Sequence, residues 1–346
     1  LLEKHYKNSI PVHSAFLDIE KAFDRIPREL IWYSLREHGI PEEYVRWIQL
    51  TYDKSTSQVR SACGLSPVFH INVGVHQGSV LSPLLFIICF NTVTRGIQRL
   101  PPWDIMYADD VMLNTKDRRS LETLIQKWKD RLEQFGLKLN LDKTVYMPVR
   151  CTVPSSIIID GKQLTTTDGF TYLGSRLTPN GSILPDASLR INAAWSKWRE
   201  TAGILCDKKM PDRLKSKIYK IVIQPVFLYG TECLPTKKTV ENYFDAMEKK
   251  MSRNAWKCKT TWKGVVPIKK KMREGRLRWF GHVMQKDKSS MCRIAFDLEV
   301  TGTRERRKTR WIYTVTQDLR AAGLTPKDAQ DRAEWSQKIR DFITFK

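Results

Sequence analysis

With 346 residues, 41% of them hydrophobic and 28% charged, the chain has the composition of two or three folded domains and not of a disordered tract. Its seven cysteines (Cys63, Cys89, Cys151, Cys206, Cys233, Cys258 and Cys292) include no Cys-x-x-Cys pair and are odd in number. That pattern speaks against a disulfide framework or a zinc site and for a reducing, intracellular compartment, cytoplasmic or nuclear. The net charge of +22 is uneven: residues 1–150 hold 20 Lys and Arg against 17 Asp and Glu, net +3, and residues 151–346 hold 39 against 20, net +19. Polyanion binding is therefore expected of the second half, with a solvated basic surface or a nuclear localisation tract as the plainer reading.

Taken in chain order, residues 14–18 alternate as a short strand that delivers Asp18 at its end. Pro27 opens a helix over 28–38 stopped by Gly39, and Pro41 with Glu42 and Glu43 opens another. Residues 58–62 and 68–73 read as paired strands around Gly64. Ser82-Pro83 marks the start of a helix reaching about Gln98. Its apolar part, 80–93, falls short of the roughly 20 residues of a membrane span and reads as a buried helix. Strands over 103–107 and 111–114 put Asp109 and Asp110 at a hairpin tip, a helix covers 120–135 up to Gly136, and 137–147 is strand-like. The class is α+β, an antiparallel sheet with helices on one face.

Beyond Pro148, strands at 157–159 and 170–173 are set off by Asp160-Gly161 and Asp168-Gly169, and helices follow at 186–206, 211–227 and 239–257. The last ninety residues mix basic runs with Trp262, Trp279, Trp311 and Trp335. The chain opens on Leu1-Leu2-Glu3-Lys4, with neither an initiator Met nor a signal peptide, and is expected to start inside a longer protein.

The chemistry-bearing set is Asp18, Asp109 and Asp110. Transfer of a nucleotide uses two divalent cations about 4 Å apart, held by shared carboxylates, and acids at the ends of neighbouring strands can share them. A lone Asp-Asp is a common solvated turn, so the neighbouring residues decide.

Those neighbours resemble the reverse transcriptases of non-long-terminal-repeat retrotransposons, most closely the RTE-like elements. Asp18-Ile-Glu-Lys-Ala-Phe-Asp24 is similar to their motif A. Gly74-Val-His-Gln-Gly-Ser-Val-Leu-Ser-Pro83 is similar to motif B, and Tyr107-Ala-Asp-Asp110 to motif C. Gly136-Leu-Lys-Leu-Asn-Leu-Asp-Lys-Thr144 resembles motif D, and Phe170-Thr-Tyr-Leu-Gly174 the primer-grip hairpin. The likeness continues through Leu228-Tyr-Gly-Thr-Glu232 and Arg278-Trp-Phe-Gly-His-Val283 to Asp331-Arg332.

The resemblance implies a right-hand polymerase palm (1–148), primer-grip-like hairpins (149–180), a helical thumb (181–262) and a basic C-terminal region (263–346). It implies that Asp18 and Asp109 ligate both metals, Mg²⁺ or Mn²⁺ and not zinc, with Asp110 a supporting acid and the Ile19 carbonyl a further ligand. Phe23 would lie under the sugar and exclude a 2′-hydroxyl, its alternative being an ordinary core aromatic. Gln77 and Gly78 would line the nucleotide and template pocket, the missing side chain of Gly78 allowing close approach. Lys143 would serve the leaving group, or be a surface lysine, and Tyr172 and Gly174 would hold the primer end. Partners would be an RNA template, a DNA primer or target DNA, and a dNTP, with no membrane.

Two departures stand out: His76 where the family usually has Arg, and Arg307-Lys-Thr-Arg-Trp311 in place of a Gly-Arg-Pro run. The fingers motifs and the endonuclease that precede motif A in the family would lie upstream of this sequence. Phosphate contacts are expected from Lys269, Lys270, Lys271, Arg273, Arg276 and Arg278, and from Arg304, Arg306, Arg307, Lys308 and Arg310, with the adjoining tryptophans stacking on bases or packing in a core. The competing reading is a truncated or domesticated nucleic-acid-binding remnant. A two-metal nuclease has no use for the Phe23 and Gln77-Gly78 features.

Overall fold

Helix α1 (Leu2–Lys7) precedes strand β1 (Val12–Leu17), and every residue of β1 is buried. Burial of alternate and intervening side chains alike marks a central strand, paired on both edges and covered on both faces. The computed structural model, which describes residues 2–151, 156–236, 238–256, 262–299 and 310–345, bears this out. β1 lies between β7 (Asp110–Thr115) and β8 (Val145–Val149), antiparallel to both. β6 (Asp104–Tyr107) closes one edge of the five-stranded sheet and β11 (Thr165–Thr166) the other, β11 running parallel to β8.

One sheet face carries Ala15, Leu17, Val111, Leu113 and Tyr146 into a core shared with α3 (Arg28–Glu37), α4 (Glu42–Tyr52), α5 (Leu81–Thr94) and α6 (Arg118–Gln134). Asp117 caps α6, its carboxylate accepting from the Ser120 N–H at 2.8 Å. Ser82 does not cap the helix it is expected to start. α5 starts at Leu81, and the Ser82 hydroxyl, inside the first turn, donates to the His76 carbonyl at 2.5 Å. Nor is α5 buried all round: Leu85, Phe86, Cys89 and Phe90 face the core while Val80, Leu81, Leu84 and Ile87 are exposed. The strand pair expected around Gly64 is two short nested ladders. β2 (Thr56–Ser57) pairs with β5 (Phe69–His70), and β3 (Arg60–Ser61) with β4 (Gly64–Leu65).

Packing divides the chain into Pro11–Asp168 and a second unit of Gly169–Lys346 with Leu1–Ile10. The break falls later than 148 because the hairpin β9 (Ile158–Ile159)–β10 (Lys162–Gln163) leads into β11, which belongs to the first sheet. The N-terminal residues join the second unit, where Lys4 donates to the carbonyls of Phe296 (2.7 Å) and Leu298.

The second unit opens with a hairpin, β12 (Phe170–Tyr172) and β13 (Ser175–Leu177), followed by α7 (Leu184–Leu205), α8 (Asp212–Ile218) and α9 (Gln224–Leu228). A single helix over 211–227 is expected, but a π-turn at Tyr219–Ile223 separates α8 from α9. Pro225 has no N–H for the carbonyl four residues back, and the Gln224 N–H reaches Tyr219 O instead, widening the turn. Helices α10 (Lys238–Trp256), α11 (Ile268–Met284), α12 (Met291–Asp297), α13 (Trp311–Ala322) and α14 (Arg332–Phe345) complete the unit. Its apolar residues form two cores, one from Ala187 to Met272 and one from Leu277 to Ile343, and α11 contributes to both.

Gly281 marks where α11 meets α14. A Cβ there would lie 2.2 Å from Nε1 of Trp335, an indole held in place by its hydrogen bond to Leu277 O at 3.1 Å. Gly281→Ala is expected to lower stability by about 1–3 kcal/mol, as overpacking does. Gly275→Ala, whose Cβ would meet nothing nearer than Glu232 Cβ at 3.7 Å, is expected to be neutral or stabilising. Urea unfolding of the two variants reads the difference, and equal midpoints would refute the close approach.

Candidate active site

Past the end of β1, residues 18–20 change partner. Asp18 O accepts from the Asn140 N–H at 2.8 Å, the Glu20 N–H donates to Lys138 O at 2.9 Å, and Ile19 faces Leu139 in an isolated bridge. Neither bond uses the Ile19 carbonyl. The Asp18 N–H lies 3.3 Å from Thr144 Oγ1, which ties the motif A acid to the motif D segment.

On the other side of β1 the last ladder pair is Leu17 with Val111, so the next step in register sets Asp18 against Asp110. Asp109 shares with Ala108 the two-residue turn between β6 and β7, where Tyr107 pairs with Asp110 and Ala108 takes φ +53°. Asp109 and Asp110 are exposed and Asp18 half-buried. The Asp110 carboxyl is pushed above the usual carboxylate range, first by its partial burial and then by the charges of Asp109 and Asp18. The Asp110 carboxyl therefore stands in the field of Asp109 and Asp18. Among the described residues no three acidic, His or Cys side chains are arranged to hold an ion. The donor set itself, carboxylate oxygens with a carbonyl, suits hard divalent cations.

Lys143 is exposed in a turn held by Asn140, whose Oδ1 accepts from the backbone N–H groups of Asp142 (3.1 Å) and Lys143 (3.3 Å). Phe23, in the short helix α2 (Ala22–Arg25), is half-buried and stacked on Phe86 with ring centroids 4.5 Å apart. Against this helix runs the motif B loop. The Gly74 N–H donates to Ile26 O and the Val75 N–H to Phe23 O, both at 2.9 Å, and Gln77 Nε2 donates to Asp24 Oδ1 at 2.7 Å. At Gly78 no atom of the chain lies within 4 Å of a Cβ position, and its φ of +86° is what calls for glycine. Close approach is instead the reason for Gly74, unassigned from sequence, where a Cβ would lie 2.7 Å from Asp24 O. His76 stacks on Tyr52 at 4.3 Å and reaches Ser55 Oγ at 3.2 Å.

In the second unit Tyr172 and Gly174 belong to the β12–β13 hairpin, whose two-residue turn has Leu173 at φ +48° and Gly174 at φ +76°. Tyr229 braces this turn: its hydroxyl donates to Leu173 O at 3.2 Å, and a Cβ at Gly174 would lie 2.9 Å from its ring. Buried Asp186 and Arg190 of α7 hold the following strand, Asp186 accepting from the Arg176 N–H at 2.8 Å and Arg190 donating to Ser175 Oγ at 2.9 Å. These bracing residues are missed from sequence, because a helical acid–base pair four apart ordinarily signals a solvated face.

The basic run of α11 requires a correction. Arg276 is fully buried and donates to Asp318 (2.7 Å), Thr236 (2.5 Å) and Glu241 (2.8 Å), so it meets no phosphate. Its neighbours are engaged too: Lys269 with Asn242 and Asp245, Lys271 and Arg278 with Glu274, and Arg273 with Asp318 at 3.6 Å. Lys270 is half-buried. Arg310 lies 5.5 Å over the Tyr313 ring, whereas Arg304, Arg306, Arg307 and Lys308 lie outside the described residues. Trp262 and Trp335 are buried and Trp311 donates to Glu232 O at 2.6 Å within the last core, so these rings pack rather than present platforms, whereas half-buried Trp279 stacks on the exposed His282.

Two measurements follow from this geometry. An acid whose pKa is raised by folding makes the folded state lose stability as pH climbs through the carboxylate range. Asp110→Asn should therefore melt above the parent near pH 7 in chelator, the gap closing in acid. Mg²⁺ or Mn²⁺ should raise the melting temperature of the parent more than that of the variant. A variant no more stable at pH 7 would show that the acids do not repel one another. Arg276→Ala, which strands Asp318 and Glu241 in the interior, should cost about 3–5 kcal/mol on urea unfolding, and a loss below 1 kcal/mol would show the network to be solvated.

Residues 3–177 match the family described as reverse transcriptase (RNA-dependent DNA polymerase). The Pol polyprotein of the type-2 retrotransposable element R2DM from Drosophila melanogaster is 30% identical over 52% of this chain and 18% of its own length. The RNA-directed DNA polymerase from mobile element jockey of Drosophila funebris is 27% identical over 63% and 25%, and the R2 Pol polyprotein of Popillia japonica 28% identical over 62% and 32%. The chain thus spans between about a fifth and a third of these relatives. A solved telomerase from Candida tropicalis aligns over 86% of this chain and 53% of its own at 13% identity and a TM-score of 0.43, a distant likeness. With the family match covering half its length, and the acids, motif B loop and motif D turn gathered around one sheet, the chain belongs to the reverse transcriptase family.

Proposed function

We propose that this chain is the RNA-directed DNA polymerase module of a non-LTR retrotransposon, joining a dNTP to a primer 3′-hydroxyl on an RNA template. What supports it is the register of the central strand, which sets Asp18 next to Asp110, with Asp109 in the adjoining β6–β7 turn. Two Mg²⁺ or Mn²⁺ ions, when bound, would activate the attacking hydroxyl and neutralise the departing pyrophosphate. Asp18 and Asp109 would hold them, and Asp110 would supply further negative charge. Phe23, fixed by Phe86, would set the floor under the sugar, with Gln77 and Gly78 beside it and Lys143 available to the leaving group. Tyr172 and Gly174 would steady the primer end.

Template and primer binding rests on the net +19 of residues 151–346. With Arg276 buried and Lys269, Lys271, Arg273 and Arg278 ion-paired, the exposed Lys208, Lys209, Arg213, Lys217 and Lys220 around α8 are better placed to meet phosphate.

Primer extension on an RNA template tests the reading, since phosphoryl transfer depends on positioning and charge stabilisation as well as on the metal-binding acids. Asp109→Asn should abolish extension and leave nucleic-acid affinity nearly intact, and Phe23→Val should raise ribonucleotide use. Binding should weaken with salt at a log–log slope of about −0.7 per phosphate neutralised, and neutralising the five α8-region cations should flatten it. No extension, with binding intact, would favour the nucleic-acid-binding remnant.

A further inference from the structure

The segment Arg278-Trp-Phe-Gly-His-Val283 near the end of α11 divides between two faces of the helix. Phe280, Gly281 and Val283 turn inward and are buried. The Phe280 ring packs with those of Trp311 and Trp335, at centroid distances of 6.4 and 6.3 Å, and Gly281 lets the Trp335 indole come close enough to donate to Leu277 O. Trp279 and His282, three residues apart, are neighbours on the other flank. Trp279 is half-buried but joins none of the three hydrophobic cores formed by the described residues. Its ring lies instead against the exposed His282 imidazole, centroids 5.1 Å apart and planes 21° from parallel.

A tryptophan carries about 150–250 Å² of surface that a core would bury, and here no core takes it. The His282 imidazole covers part of that surface and itself stays open to solvent. The pair is thus a stack of two rings open at one end. Because the other side of α11 is anchored, a third ring can join it with little loss of freedom in the protein. Cations flank the stack. Arg278 precedes His282 by one helical turn and is 58% exposed, although Glu274 holds it at 2.7 Å. Lys286 follows His282 by four residues, and Lys286 and Lys288 are exposed with no ion pair among the described residues.

Resting on the nucleic-acid binding proposed above, we propose that Trp279 and His282 form a stacking site for an unpaired base of a single-stranded nucleic acid, the base lying on His282 and the flanking phosphates meeting Lys286 and Lys288. A stack open at one end takes a flat ring as its next member, and the cations beside it take negative charge. A nucleotide carries both in one unit, whereas an acidic peptide brings the charge without the ring. A duplex keeps its base faces against one another and has none to offer. Every base has a π-face, so the site adds affinity without reading sequence. It is distinct in kind from the α8-region cations, which would meet phosphate alone.

The test is equilibrium binding of the full chain to oligothymidylate, to oligouridylate and to a strand with the same phosphate backbone but abasic units throughout. Trp279→Ala and His282→Ala should each weaken binding of the base-bearing strands by about tenfold, the order of one stacked base, and leave the abasic strand unchanged. His282→Phe, which keeps a flat ring, should retain most of the affinity. Trp279→Ala removes no charge, so the salt dependence of binding should keep its slope, whereas replacing Lys286 and Lys288 by Ala should flatten it on every strand. A response of the DNA strand, of the RNA strand or of both bears the proposal out and says which the site takes. Unchanged binding by His282→Ala, an equal loss on base-bearing and abasic strands, or a slope altered by Trp279→Ala would overturn it. His282 is exposed, so its variants decide the matter even if Trp279→Ala unfolds the chain. Failure of the parent to bind any of the strands would instead overturn the nucleic-acid reading on which the proposal rests.

Discussion

The register of β1 is the constraint on which the candidate site depends. A strand's side chains alternate between faces, so a slip of one residue would turn Ala15 and Leu17 out of the helix-covered core and carry Asp18 away from Asp110. β1 resists such a slip because it is pinned from two sides, by β7 and by β8, with His13 opposite Thr115 in one ladder and opposite Pro148 in the other. A cross-strand bond between Ser14 and Asn114, both fully buried, adds a polar pair that a shifted register would break. The Asp110 carboxyl is held above the usual carboxylate range, first by its partial burial and then by the charges of Asp109 and Asp18, so its place beside them is imposed by the sheet and not sought by the side chain.

Around that strand the remaining site residues are placed by backbone rather than by side-chain packing. Asp18 and Glu20 hydrogen-bond to the motif D segment through main-chain atoms, and the motif B loop does the same with residues 23 and 26. Positive φ at Lys21, Gly74, Gly78 and Ala108 permits the sharp changes of direction between these segments. Main-chain bonding of this kind holds the positions of these segments whatever side chains they carry.

Much of this was legible beforehand. The hairpin tip at Asp109-Asp110, the strand delivering Asp18 and the long helices follow from alternation, helical spacing and glycine stops, because these patterns are local. What escaped depends on residues distant in sequence. Arg276 sits in a basic run and reads as surface, yet its three partners come from 236, 241 and 318, and nothing in the run announces them. Gly74 escaped because its use lies in the approach of Asp24, fifty residues earlier, and the Tyr229 brace on Leu173 is just as distant. The π-turn before α9 is a different case, since Pro225 was visible and its consequence for the ladder could have been drawn.

The ion pairs of most α11 cations move the proposed phosphate contacts elsewhere without removing the reason to propose them. Pairing consumes one acid for each base, and residues 151–346 hold only 20 acids for 39 bases, so complete pairing would still leave 19 unmatched. A run of like charge on a helix carries a cost unless counter-charges are interleaved, and α11 lowers that cost with Glu274 on its own surface and with Asp245, Glu241 and Asp318 supplied by α10 and α13. The excess then collects where acids are sparse. Around α8 the exposed Lys208, Lys209, Arg213, Lys217 and Lys220 are accompanied by two acids, Asp207 and Asp212, and Asp212 already accepts from the Trp256 indole at 2.6 Å. Lys215, on the buried side of the same helix, is turned to the Ala255 carbonyl and takes no part. Charge density read along a sequence thus locates the basic half of the molecule, whereas the binding face is set by which cations the fold leaves without acids.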